Sequence, residues 1–291
     1  MSTSAALRGL AQDVVRCTRG HDLALYAAGV TFYAAVGAVP LLLLSLFLAG
    51  LVVGQETVLS LATELAALLP MNLGAQDAGR SLAVAGSELE PLAALAAFVP
   101  ASLYAEGLVR AFDRLSIGGQ RGRRTLRGRL GSLVLVAVSP VLLLAGLAAT
   151  SGLTRLLGTG TGARLLGVYL AFLVGWLSIS VLLALAYRGL APERPGGRAL
   201  AWGALGTASV LSGTSLGYVL FLGIELPIGE AYGGAVPVAA AAVSGLWLYV
   251  LHMIVLVGYV TTLCLATRRG HPLGPVVEEA VARPGIVATA A

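Results

Sequence analysis

Charge is what this 291-residue sequence has least of: acidic and basic residues together make up 11% of it, against about a quarter in a soluble globular chain. Hydrophobic residues make up 57%, and mean hydropathy is +0.89. A soluble domain cannot hide that much apolar surface, because its own exterior must be wetted. A bilayer removes that constraint. Lysine is absent altogether, so all 19 basic residues are arginine. With the heavy use of Ala, Gly and Leu, this points to GC-rich coding more than to a functional choice. Cysteine is reduced to Cys17 and Cys264, which allow one disulfide at most; both fall near expected cytoplasmic edges, where thiols stay reduced. Histidine is reduced to His21, His252 and His271, and these with the cysteines make no metal-ligand spacing. There is no nucleophile elbow, Walker A sequence or HExxH. The run GTGTGA at 158–163 has no preceding strand or surrounding βαβ unit and reads as a flexible turn. No enzyme activity, metal or cofactor is expected.

What is present is length of apolar run. A spanning helix needs about 20 mostly apolar residues, because the hydrocarbon core is about 30 Å thick. Six stretches meet or approach that requirement, at 23–54, 89–110, 130–150, 165–187, 199–223 and 235–267. The expected fold is therefore an all-α membrane bundle with six transmembrane helices. The first stretch is long for one straight span and carries Pro40 near its middle, so a kink is expected there. The second carries Pro100. Residues 1–22 form a polar, basic tail, and the run after them is too long for a signal-peptide core. The tail at 268–291, rich in Ala, Pro and Gly, is expected to be disordered.

The arginines orient the bundle. Sixteen fall in the N-terminal tail, the second-to-third connection, the fourth-to-fifth turn and the C-terminal tail. Only Arg80, Arg155 and Arg164 fall on the other side. The positive-inside rule makes the arginine-rich side cytoplasmic, with both termini inside. The alternation holds only for six spans, so the helix count and the charge count support each other. The densest cluster is Arg110, Arg114, Arg121, Arg123, Arg124, Arg127 and Arg129. It lacks the interleaved aromatics of a nucleic-acid site, so no nucleic acid is expected. Topology accounts for it, with contact to anionic lipid headgroups as a second use. On the outer side, VLSLATELAALLP within 55–88 has helical spacing, with Glu56, Glu64 and Asp77 nearby. A short amphipathic helix on the membrane surface is expected there.

Ionisable groups within spans are costly to desolvate and are therefore candidates for function. Glu106 and Arg110, in SLYAEGLVRAFDRL, are four apart on one helix face, with Asp113 following three residues on. With Tyr33 and His252 they make up the candidate polar cavity. Snorkelling to cytoplasmic water is the competing account of Arg110 and Asp113, and both accounts remain open for Glu106. His252 in the sixth span is a candidate proton relay, although a lone intramembrane His more commonly makes an interhelical hydrogen bond. Gly206, Gly213 and Gly217 share one face of the fifth span, the last two as a GxxxG pair. Such a face permits close helix contact within the bundle or between protomers, so a homo-oligomer is one outcome. LPIGEAYGGAVP at 226–237 reads as a tight external hairpin or short re-entrant element.

Taken together, VTFYAAVGAVPLLL, SLYAEGLVRAFDRL, AYRGLAPERPGGRALAWGA and YGGAVPVAAAAVSGLWLYV resemble the YihY/BrkB family of six-helix bacterial inner-membrane proteins, over about residues 22–267. The order and spacing of these segments carry the resemblance, not any single motif. Where the family commonly has Gly-Ala-Glu in its last span, this chain reads Gly258, Tyr259, Val260. The resemblance implies a bacterial inner-membrane location. Some members carry a ribonuclease label, but this sequence has no cytoplasmic cluster of metal-binding carboxylates or histidines to support one. The expectation is a transporter-like or lipid-handling membrane protein with membrane lipids as partners. A structural or scaffolding protein is the alternative, and a membrane-bound ribonuclease ranks last.

Overall fold

The computed structural model of the protein describes residues 3–67, 69, 72–116, 133–134, 136–146, 161–224 and 227–268. Among these, helices are the only regular elements. They are α1 (Thr3–Thr18), α2 (Leu23–Val53), α3 (Gln55–Ala66), α4 (Ala75–Ser87), α5 (Pro91–Leu115), α6 (Val136–Gly146), α7 (Thr161–Gly189), α8 (Gly197–Leu222) and α9 (Val236–Arg268). Five of these helices, α2, α5, α7 (over Phe172–Gly189), α8 and α9, are long and apolar enough to cross a membrane. The described part of the expected third span is α6, which is shorter; the rest of that span lies outside the described residues. So do most of the arginine-rich connection and the tail beyond Arg268. The protein is thus an all-α membrane protein.

Local sequence sets the helix ends. The Asp22 carboxylate caps α2 by accepting from the Leu25 N–H at 3.0 Å, satisfying one of the donors a helix start leaves unpaired. Pro91 opens α5 at a position where its missing N–H costs nothing. Gly54 breaks α2 from α3 at φ 96°, a backbone region glycine reaches without strain. Pro40 and Pro100 lie inside α2 and α5, and both helices continue through them. Each proline removes the donor for the carbonyl four residues earlier, Val36 and Ala96.

Residues 3–18 of the N-terminal tail form α1, which packs on the end of α9. The connection at 55–88 holds two helices, α3 and α4, where the sequence suggested one. Both fold back on α2. The 226–237 connection contains a 3-10 turn, Ile228–Tyr232, closed by Gly233 and Gly234 at positive φ. Residues 161–163 of the GTGTGA run already belong to the first turn of α7.

The main core is built where the start of α2, the ends of α5, α7 and α9, and the start of α8 meet. Phe112, Tyr187 and Tyr259 fill its centre, all fully buried, with ring centroids 4.6–5.8 Å apart. Two smaller clusters lie toward the other end, around Leu44 and Ala94, and around Leu46 and Val58. Hydrogen bonds between helices add to this packing: Ser45 to Ser139 (2.6 Å), Trp176 to Ser209 (3.0 Å) and the Tyr187 hydroxyl to the Val255 carbonyl (2.9 Å). Outside, Phe32, Leu92, Leu95, Trp202, Leu220 and Leu246 are largely exposed. Such an apolar exterior suits lipid and would be a liability in water.

Candidate functional site

A groove of about 710 Å³ opens between α2 and α5. Its α2 wall is Leu25, Tyr26, Gly29, Val30 and Tyr33, and its α5 wall runs from Glu106 to Arg114. The spacing of Tyr26, Gly29 and Tyr33 (i, i+3, i+7) puts them on one stripe of α2. Glu106, Arg110 and Asp113 or Arg114 make the matching stripe on α5.

Glycines set how closely the two helices approach. A Cβ at Gly107 would lie 2.7 Å from the Tyr33 ring, and one at Gly37 would lie 2.8 Å from the Pro100 carbonyl oxygen. Only glycine lets Tyr33 lie flat on α5 and lets α2 cross at Pro100. At Gly29, by contrast, nothing lies within 4 Å, so the missing side chain is part of the groove's open space.

The groove carries a charged stripe along its α5 wall with apolar side chains beside it. Arg110 is ion-paired with Glu106, donating from Nε at 3.1 Å, and its guanidinium lies 5.9 Å from the centre of the Tyr33 ring. The side chains of this pair are 61% and 44% exposed, so both charges stay hydrated and reachable. Asp113 and Arg114 extend the charged stripe, while Leu25, Val30 and Val109 give the groove apolar sides. Four of the five side chains proposed for a polar cavity (Tyr33, Glu106, Arg110 and Asp113) therefore line one space.

His252 is not among them. It is buried (3% exposed) with Nδ1 2.7 Å from the Leu248 carbonyl and 3.3 Å from Thr31 Oγ1, and Nε2 3.2 Å from the Tyr104 hydroxyl. A carbonyl only accepts, so Nδ1 carries the proton, and in the neutral ring Nε2 accepts from Tyr104. His252 thus ties α9 to α2 and α5 as an interhelical hydrogen-bonding residue. Gly206, Gly213 and Gly217 are exposed on α8, and no described atom comes within 4 Å of a Cβ built there.

Two features escaped the sequence reading. Glu193, in the turn between α7 and α8, is buried (8% exposed) and accepts hydrogen bonds from Ser116 Oγ and the Tyr259 hydroxyl. It thereby joins the ends of α5 and α9 to that turn, and a buried carboxylate needs such donors. Tyr259, which stands out in the sequence only as a departure from the family pattern, is one of those donors. The second is a reciprocal contact between α8 and α9. Thr262 lies over Gly203, and Thr207 lies over Gly258. The sequence signal was there, a Gly-x-x-x-Thr in each helix, at Gly203/Thr207 and Gly258/Thr262.

Among the described residues no three His, Cys, Asp or Glu side chains gather as a metal-ligand set. The fold and its charged groove define a multi-pass helical membrane protein with an amphipathic cleft at one end of the bundle. The chain belongs to the family described as Virulence factor BrkB, whose model matches residues 14–280. No curated protein and no solved structure matches it.

Proposed function

We propose that this protein spans the bacterial inner membrane six times, with both termini in the cytoplasm, and binds and moves an amphiphile along the α2–α5 groove. The third span in this reading, added to the five long apolar helices, is residues 130–150, around α6, and Pro40 and Pro100 bend the two helices that form the groove. The observation that carries the reading is the groove itself, about 710 Å³ with a charged stripe at Glu106–Arg114 and apolar sides. An ion path is built from rings of carbonyls or charged side chains, whereas this groove has one charged stripe beside apolar sides, the two kinds of surface an amphiphile needs. The reading includes no catalytic step.

Reconstitution into liposomes with labelled lipids tests it. The native chain should speed lipid movement between leaflets, and Glu106→Gln should slow it. Gly29→Trp, whose Cβ would meet nothing within 4 Å, should also slow it with little change in thermal stability. If the native chain moves none of the lipids offered, the reading fails.

A docking or scaffolding role is the second reading, and the open Gly206/Gly213/Gly217 face of α8 favours it. Small residues on a lipid-exposed face permit close helix approach. Replacing Gly213 and Gly217 by Ile should then abolish a detectable oligomer, and unchanged association would count against the role.

A further inference from the structure

We infer that the α2–α5 groove selects a phospholipid whose headgroup carries both a phosphate and a primary ammonium, over one whose headgroup carries only the negative charge. This rests on the amphiphile reading and narrows it to a class of ligand.

The argument is charge balance along one helix stripe. Glu106, Arg110, Asp113 and Arg114 all line the groove, two carboxylates and two guanidiniums. Glu106 and Arg110 are about 6 Å apart along the axis and Arg110 and Asp113 about 4.5 Å, with Arg114 next to Asp113 in the chain. A headgroup with a lone negative charge would gain the guanidiniums but would face both carboxylates at close range, a like-charge juxtaposition that selects against it. A headgroup with both charges meets both kinds of side chain. Its phosphate replaces Glu106 at Arg110, and its ammonium gives Glu106 a new counter-charge. A primary ammonium, unlike a quaternary one, also has N–H groups to donate to the carboxylates.

Two further observations fit a lipid more than a free headgroup. Leu25 lines the groove and is 64% exposed. Phe32, 67% exposed, lies edge-on to Tyr33 with ring centroids 6.0 Å apart. They continue the groove onto the apolar exterior, where acyl chains would lie.

The test is binding, measured by native mass spectrometry on the full-length delipidated protein in detergent, with phosphatidylethanolamine and phosphatidylglycerol of matched chains. The native protein should prefer phosphatidylethanolamine by about tenfold or more, the value of one charge-assisted hydrogen bond. Glu106→Gln should collapse that preference, and Arg110→Gln should weaken both lipids. Water-soluble glycerophosphoethanolamine should compete poorly. Equal or stronger binding of phosphatidylglycerol, or an unchanged ratio in Glu106→Gln, overturns the inference even if lipids are moved in liposomes. Tight binding of the soluble headgroup alone overturns the lipid as its source. Selective binding with no movement in liposomes leaves the inference standing and removes the transport reading instead. No binding of either lipid removes both.

Discussion

At the residue scale, glycine does two opposite things in this bundle. Gly203 and Gly258 each receive a threonine from the facing helix, Thr262 and Thr207 respectively, and both threonines also bond back to their own helix, Thr207 to the Gly203 carbonyl and Thr262 to the Gly258 carbonyl, each at 2.8 Å. The hydroxyls are thus satisfied internally, and the contact rests on shape, as close packing in a membrane requires. Gly213, two turns or more from Gly203 on the same helix, faces open space. Gly203→Leu should therefore destabilise the protein by about 1–3 kcal/mol through overpacking, read as a lower midpoint in a thermal melt in detergent. Gly213→Leu should leave the monomer's midpoint unchanged or raise it, since leucine is the better helix former. Equal losses at both positions would mean that α8 and α9 do not cross at Gly203.

At the scale of elements, α1 is the one whose place the sequence conceals. The sequence reads there as a polar, basic tail, and the apolar stripe within it (Leu10, Val14, Cys17) names no partner. The structure packs this stripe against the main core. It also pairs Asp13 with Arg268 at the end of α9, at 2.6 Å, and brings Cys17 Sγ within 3.6 Å of Cys264 Sγ. The hydrogen bond from the Cys264 thiol holds the Cys17 thiol below its ordinary pKa, and the thiolate is the attacking form in disulfide exchange. Mild treatment with a disulfide oxidant at neutral pH should therefore join the two cysteines. Labelled with maleimide after denaturation, the protein should lose both thiols together and regain them on reduction, and Cys17→Ser should leave Cys264 labelled throughout. If the native protein keeps both thiols under oxidant, α1 does not dock on α9.

At the scale of the whole molecule, spans were readable and their pairing was not. Unbroken apolar length marks α2, α8 and α9, and the i, i+4 spacing of Glu106 and Arg110 was enough to put a charged stripe on α5. Of the facing wall the sequence pointed only to Tyr33, because α2 is apolar around its whole circumference and has no polar face to aim. Tyr26, Gly29 and Tyr33 become a wall only once Gly37 and Gly107 let α5 come close. His252 was assigned to the cavity because it is ionisable, and its partners Thr31 and Tyr104, far off in the chain, could not be read from spacing.

The charge pattern and the fold now make one joint prediction. The Asp13–Arg268 pair and the hydrogen bonds of Glu193 to Ser116 and Tyr259 gather the ends of α1, α5, α7 and α9 and the start of α8 at one end of the bundle. Arg16, Arg19, Arg114, Arg188, Arg194, Arg198 and Arg268 sit at or beside those ends, whereas Arg80 sits on α4. If the positive-inside rule governs insertion, the gathered end is cytoplasmic. Single cysteines in a background with Cys17→Ser and Cys264→Ser decide it, because Arg80 and Arg194 are both exposed. In intact cells stripped of their outer barrier, Arg80→Cys should react with a membrane-impermeant maleimide, and Arg194→Cys should react only after the inner membrane is permeabilised. The reverse pattern would invert the bundle and put the mouth of the α2–α5 groove on the outer face.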